Sequence, residues 1–197
     1  MTQRDEQRRE TRARIVAAAV RSLVDKGYAA TTALGVQRDA GISRGALLHH
    51  FPTSEALSAA AVAELVEVNL QAVLDESERT PPGPDPVERG IGVLYRASRR
   101  PSFEAELELW AAARADEPLR DALLAAERVA LGRLHDVIDE IFGPDVCRHP
   151  RYRTMVTLTV QVMRGLTVSR SLGQEDQQRS VLEWAALMRG VLDGTPR

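Results

Sequence analysis

At 197 residues the chain has ample length for a buried core, and its net charge of −2 argues by itself neither for nor against a nucleic-acid partner. The single cysteine, Cys147, excludes an internal disulfide framework and suits a reducing compartment. There is no run of 18 apolar residues, and the opening M-T-Q-R-D-E-Q-R-R-E-T-R-A-R lacks an apolar core. Neither a transmembrane helix nor a signal peptide is therefore expected, and a cytoplasmic location follows. The charge is unevenly spread. Residues 1–58 hold nine cations and six anions (9 − 6 = +3), leaving 17 cations and 22 anions (17 − 22 = −5) for the rest.

Residues 1–10 interleave Arg4, Arg8 and Arg9 with Asp5, Glu6 and Glu10. They read as a frayed or disordered arm, able to reach a minor groove or to form a solvated helix extension, and the acids favour the extension over the groove. From Thr11 to Ala30 the sequence predicts an amphipathic helix. Ile15, Val16, Ala19, Val20, Leu23 and Val24 lie on one side and Gly27 is the stop. A second helix follows, capped by Thr31 or Thr32, with Leu34, Val36 and Ala40 as its apolar positions. Gly41 can take positive φ and turn the chain. Ser43 is placed to cap a third helix that runs only to about Phe51, because Pro52 disfavours helical geometry before it. The first turn of that helix is Arg44, Gly45 and Ala46, a cation beside two residues with almost no side chain. Glycine inside a helix costs roughly 1 kcal/mol relative to alanine, which suggests that another surface must come close to this backbone. Leu47 and Phe51, one turn apart, give the helix an apolar side to lie on.

A short helix of this kind after a glycine turn is the shape that enters the major groove of DNA. The ordered set T-R-x-R-I, Gly27-Tyr28, Thr31-Thr32, Ala40-Gly41-Ile42-Ser43, Gly45, His49-His50-Phe51-Pro52 and Glu55-Ala56-Leu57 resembles the N-terminal domain of the tetracycline-repressor (TetR) family of bacterial transcription regulators. The resemblance implies a helix-turn-helix DNA-binding domain over residues 1–53 and a helical effector-binding and dimerisation domain over residues 54–197. It also implies double-stranded DNA as partner, contacted by Thr32, Gln37, Ser43, Arg44, Gly45, Ala46, Leu48, His49, His50 and Thr53. Arg44 suits guanine, whereas Thr32, Ser43, His49, His50 and Thr53 suit phosphates. Three positions depart from the family. Leu48 stands where tyrosine is usual, Ser54 where lysine is frequent, and Gln37 where a small alanine is usual. His49 and His50 point about 100° apart on a helix, with no carboxylate or cysteine at ligand spacing, so no metal is expected there.

Ser54 is placed to cap a long fourth helix, with Leu57, Ala61, Leu65 and Val68 beside Val62, Val66, Leu70 and Val73. Four prolines between Pro81 and Pro86 break the chain. Val87–Arg99 reads as a fifth helix. Ser102 caps a sixth, which carries Phe103, Leu107 and Trp110. A seventh begins at Asp116-Glu117-Pro118 and stops at Gly143-Pro144. From Thr154 to Ser169 the only charge is Arg164; helix is favoured, with a buried strand as the competitor. The last segment, Glu175 to Leu192, carries Val181, Trp184, Ala185, Met188, Val191 and Leu192 at helical spacing. The fold class is all-α, with about nine helices.

No catalytic set is evident. The Glu-x-x-His pair of di-iron bundles, the phosphate-binding glycine loop, G-x-S-x-G and HExxH are all absent. Cys147 with His149, and His135 with Asp139, read as ordinary surface pairs. The surplus apolar surface of the last two segments predicts a homodimer joined through Arg164, Val181, Trp184, Met188 and Val191. By resemblance, an effector would lie among Phe103, Leu107, Trp110, Leu131, His135, Met155, Thr159 and Met163. It would be largely apolar or aromatic, and neutral or weakly anionic. Arg164 either pairs with an acid such as Glu183 or anchors the effector. No cofactor is expected. The predicted function is a DNA-binding transcriptional repressor that holds a palindromic operator as a dimer and is released by a small molecule. The alternatives are a DNA-binding dimer without effector, or an all-α enzyme.

Overall fold

The computed structural model describes residues 2–173 and 177–194, among which there are nine helices and no strand. In chain order they are α1 Gln3–Lys26, α2 Ala33–Asp39, α3 Arg44–His50, α4 Ser54–Arg79, α5 Pro86–Ser98, α6 Pro101–Ala112, α7 Glu117–Cys147, α8 Tyr152–Ser171 and α9 Gln178–Leu192.

The ends of the helices follow local chemistry. Thr2 opens α1 with a capping box: its hydroxyl oxygen accepts from the Asp5 N–H, and the Asp5 carboxylate accepts from the Thr2 N–H. Residues 3–10 are thus helical, as the interleaved acids suggested. Thr32 and Ser43 cap α2 and α3. The cap of α4 is Thr53, whose hydroxyl accepts from the Ala56 N–H at 3.1 Å, and not Ser54. Helix α6 starts at Pro101, ahead of the expected Ser102 cap, because proline fits the first helical position where no N–H is needed. The non-helical backbone of Gly143 (φ 79°) interrupts α7 where the Gly-Pro pair required it, and one further turn follows. Segment 154–169 lies within a helix, so the strand alternative is overturned. Residue Glu175, proposed as the start of the last helix, lies outside the described residues.

The chain packs as two compact units. The first comprises Met1–Val68 and Ala105–Ala130. Its core joins Ile15, Ala19 and Leu23 of α1 to Val36, Leu47 and Phe51, to Leu57, Val62 and Leu65 of α4, and to Leu109, Leu119 and Leu123. Each of the larger side chains, valine, leucine, isoleucine or phenylalanine, contributes about 1.5–3 kcal/mol when fully buried. The grouping extends beyond residue 53 because the apolar stripe of α1 is wider than α2 and α3 can cover. The first half of α4 and parts of α6 and α7 complete it. By length and composition α4 would pass as a membrane-crossing helix. The burial of Leu57, Val62, Leu65 and Leu70 accounts for its apolarity as a core helix instead.

The second unit comprises Asn69–Glu104 and Leu131–Arg197. Its core is formed by Ile91, Val93 and Leu94 of α5, Ile138, Ile141 and Phe142 of α7, Tyr152, Met155 and Met163 of α8, and Val181, Ala185 and Met188 of α9. Arg89 ties the proline segment down. Its guanidinium donates to the carbonyls of Ser77, Thr80 and Pro81, and to that of Ile141 at the end of the regular part of α7. Helix α5 meets the ring of Phe142 at Gly90, where a Cβ would stand 2.6 Å from two ring carbons. The Tyr152 hydroxyl donates to Asp139 at 2.7 Å, and burial pushes that phenol well above its ordinary pKa.

Helix α8 is less enclosed than its sequence implied. Tyr152, Met155, Val156, Thr159, Met163 and Thr167 are buried. Thr154, Leu158, Gln161, Gly165 and Val168, followed by Leu172 at its end, form an exposed stripe without a charge.

Candidate nucleic-acid interface

The first unit presents α2 and α3 as a helix-turn-helix. Gly41, at φ 63°, makes the turn between them. The Gly41 N–H donates to the Arg38 carbonyl and the Ile42 N–H to that of Gln37. Gln37 fastens the same turn from its side chain, donating from Nε2 to the Ile42 carbonyl at 3.2 Å. A residue expected at the DNA thus works inside the motif. An amide that reaches the turn carbonyl explains how a long side chain fits where a small one was expected.

Helix α3 lies on Leu47 and Phe51, both buried. At 100° per residue this places Gly45 and His49 on the outward ridge, Arg44 and Leu48 on one flank, and Ala46 and His50 on the other. Ser43, Arg44, Gly45, Leu48 and His49 are exposed, as are Thr32 and Thr53. The Ser43 and Thr32 oxygens accept from the backbone N–H groups of Ala46 and Gly35, each at 3.1 Å. Each hydroxyl keeps its proton for an outside acceptor such as a phosphate. Thr53 is differently placed, since Glu55 stands beside it. The Glu55 carboxyl is held below its usual pKa, first by its own backbone N–H and then by the hydroxyls of Thr53 and Ser54.

Desolvation, with smaller effects from His49, Arg8 and Arg12, holds the His50 imidazole below its usual pKa. At neutral pH it offers an N–H rather than a positive charge. The His49 and His50 rings meet edge to face, 5.4 Å apart. Among the described residues no three His, Cys, Asp or Glu side chains are grouped to hold a metal ion.

Three supports of the motif escape a sequence reading, because they join distant positions. Arg12 of α1 stacks 5.0 Å from the centre of the Phe51 ring. Lys26 pairs with Asp39 at 2.8 Å, between the ends of α1 and α2. Tyr28 donates its N–H to Glu108 and its hydroxyl to Asp116 at 2.9 Å. Burial and the Asp116 carboxylate push the Tyr28 pKa up to about 12.

Gly45 is the informative residue. It has no positive φ, and a Cβ there would meet nothing nearer than the Ser43 oxygen at 4.0 Å. No neighbour among the described residues calls for glycine here, and we propose that another surface approaches the helix at this point. Gly45→Ala should therefore raise stability by up to about 1 kcal/mol while weakening binding to DNA. Thermal melting and binding titration of one preparation test this. Unchanged affinity would remove the close-approach reading.

The residues expected at an effector divide between the units. Leu107 and Trp110 belong to the first, and Phe103, Leu131, His135, Met155, Thr159 and Met163 to the second. Met155, Thr159 and Met163 are buried, whereas Leu131 and Trp110 are exposed. Of the residues expected at a dimer interface, Val181 and Met188 face the core of the second unit. Trp184 is half-buried and donates its Nε1–H to the Thr159 hydroxyl at 3.1 Å. Arg164 and Val191 are half-buried.

A sequence profile for bacterial regulatory proteins of the tetR family matches residues 15–65, from the middle of α1 into α4. The chain is 31% identical to the HTH-type transcriptional regulator CymR of Pseudomonas putida over 173 residues, covering 86% of this chain and 83% of CymR. It is 26% identical over 195 residues to an HTH-type transcriptional regulator of Mycobacterium tuberculosis, covering 97% of this chain and all of that protein. Among solved structures, a transcriptional regulator from Rhodococcus sp. Rha1 superposes with a TM-score of 0.65 at 19% identity, over 92% of this chain and 95% of that one. The multidrug binding protein EbrR, solved with ethidium, gives 0.62 at 24% identity over 90% and 98%. A capped helix-turn-helix with an exposed α3, this sequence match along most of the chain and the shared fold together place the protein in the tetR family of bacterial regulatory proteins, DNA-binding regulators of transcription.

Proposed function

We propose that the protein is a cytoplasmic repressor that binds an inverted-repeat operator as a homodimer and leaves it when a small molecule binds. The observation that carries the dimer is the uncharged exposed stripe of α8. Leu158 and Val168 are 45% and 50% exposed there, and Leu182 and Leu187 of α9 are 47% and 52% exposed. Exposed apolar surface of this kind is what a subunit interface covers. Gly165 stands within the stripe with nothing within 4 Å of a would-be Cβ, which leaves room for a second helix at close range. This face replaces Val181 and Met188, already used by the chain's own core.

Leu187→Glu should leave the fold intact, since the side chain is exposed, yet yield a monomer that loses operator binding. Light scattering at micromolar concentration reads the first effect and a binding titration the second. A wild-type protein that is monomeric at that concentration would overturn the proposal.

The effector is proposed to be flat and largely apolar. Its support is the fold shared with EbrR, whose structures hold ethidium and proflavin. Entry to Met155, Thr159 and Met163 requires repacking, and methionine, unbranched and with three rotatable bonds, suits that. Ethidium, a flat cation, replaces the neutral or weakly anionic molecule expected above as the probe. Quenching of the protein's own fluorescence by it in the absence of DNA, and loss of that quenching in a Met163→Ala protein that still binds DNA, would test this.

A further inference from the structure

Helix α3 buries Leu47 and leaves Leu48 48% exposed. An exposed leucine on an ordinary surface needs no explanation. On the helix that faces DNA it decides what that helix can recognise. Leucine offers no hydrogen-bond donor or acceptor, so Leu48 can neither hold a phosphate nor bond to the polar edge of a base. The apolar group that the major groove presents is the 5-methyl of thymine.

The position of Leu48 is suited to that group. It shares a flank of α3 with Arg44, about 40° away around the axis at 100° per residue, and one turn along. Four residues at about 1.5 Å rise separate the two side chains by about 6 Å along the helix. Base pairs follow one another at about 3.4 Å, so two side chains on this flank reach sites about two base pairs apart. Gly45 between them lacks a side chain that would hold the helix off the groove floor.

We infer that Leu48 reads the 5-methyl group of a thymine in each operator half-site, about two base pairs from the pair read by Arg44. This rests on α3 being the recognition helix. The contact is apolar and desolvating, so it discriminates thymine from uracil and from cytosine without a hydrogen bond.

Deoxyuridine differs from thymidine in its base by that methyl alone, which makes the test direct. The operator is selected from a random-sequence duplex pool with the full-length protein. Each thymine is then replaced singly by deoxyuridine. Affinities of the wild type, Leu48→Ala and Leu48→Met are compared at one salt concentration. One thymine per half-site should show about a fourfold loss for the wild type, the worth of one buried methyl, and about fifteenfold when both half-sites are replaced. Leu48→Met should keep that sensitivity and Leu48→Ala should lose it. If a common operator emerges but no thymine shows a methyl effect that depends on residue 48, the proposal falls and the reading of α3 stands. If the selection yields no common sequence, the reading of α3 falls, and this proposal with it.

Discussion

Arg44→Ala is expected to lose about 1–3 kcal/mol of operator binding per half-site, the worth of a good bidentate contact to a base. Arg44 is the first residue of α3 and is exposed, so the loss should leave melting temperature nearly unchanged. In a dimer both half-sites suffer, for a total of about 2–6 kcal/mol, or roughly thirtyfold to more than ten-thousandfold in affinity. Guanidinium and guanine match because a planar fork of donors meets two acceptors, and a lysine at this position should restore only part of the preference. The diagnostic feature is which DNA is affected. A base contact weakens operator binding far more than binding to random duplex, and relaxes the preference at one position. A phosphate contact weakens both alike and reduces the salt dependence by about one ion. Equal losses on operator and random DNA would assign Arg44 to the backbone.

A comparably large effect is expected on stability, at the contact between Gly90 and Phe142. Phe142 is 1% exposed, so Phe142→Ala should cost about 3–5 kcal/mol, a large part of the 5–15 kcal/mol that holds a typical domain together. Gly90→Ala is the sharper experiment, because two effects oppose each other. Alanine favours the helix by about 1 kcal/mol, but its Cβ would fall 2.6 Å from the buried ring, and overpacking of this kind costs about 1–3 kcal/mol or more. The clash should win, and Gly90→Ala should melt at a lower temperature. In the Phe142→Ala background the same substitution should become neutral or stabilising, since the ring is gone. A Gly90→Ala protein that melts higher than wild type would show that α5 does not press on Phe142. The contrast with Gly45 is instructive. Two helical glycines look alike in sequence, yet one is required by the protein's own core and the other by nothing inside it.

Much of the helix-turn-helix is legible in the sequence, because its determinants are local. Gly41 permits the left-handed turn, Thr32 and Ser43 sit immediately before the helices they cap, and Pro52 lies just beyond α3. Each of these acts within four residues of its effect. The errors at helix starts have the same origin. Thr53 and Ser54 are both good caps, and Pro101 and Ser102 both suit a first turn. The choice between neighbours rests on how the chain enters the helix, which packing sets.

The sequence by itself determined the helical class, the stops at Gly27, Pro52 and Gly143-Pro144, and the family to which the chain belongs. Those follow from backbone geometry and from the order of short motifs. What only the tertiary structure decided is the side on which each apolar residue is spent. Val181, Met188, Leu182 and Leu187 are all apolar residues of α9. Only the presence of α5 and α8 against one side buries the first two and leaves the others exposed. In the same way only the fold shows that Gln37 closes its own turn, since a hydrogen bond needs a partner within about 3 Å and sequence spacing does not supply one. Burial and partnership are relations between segments, and the chain acquires them only when it folds.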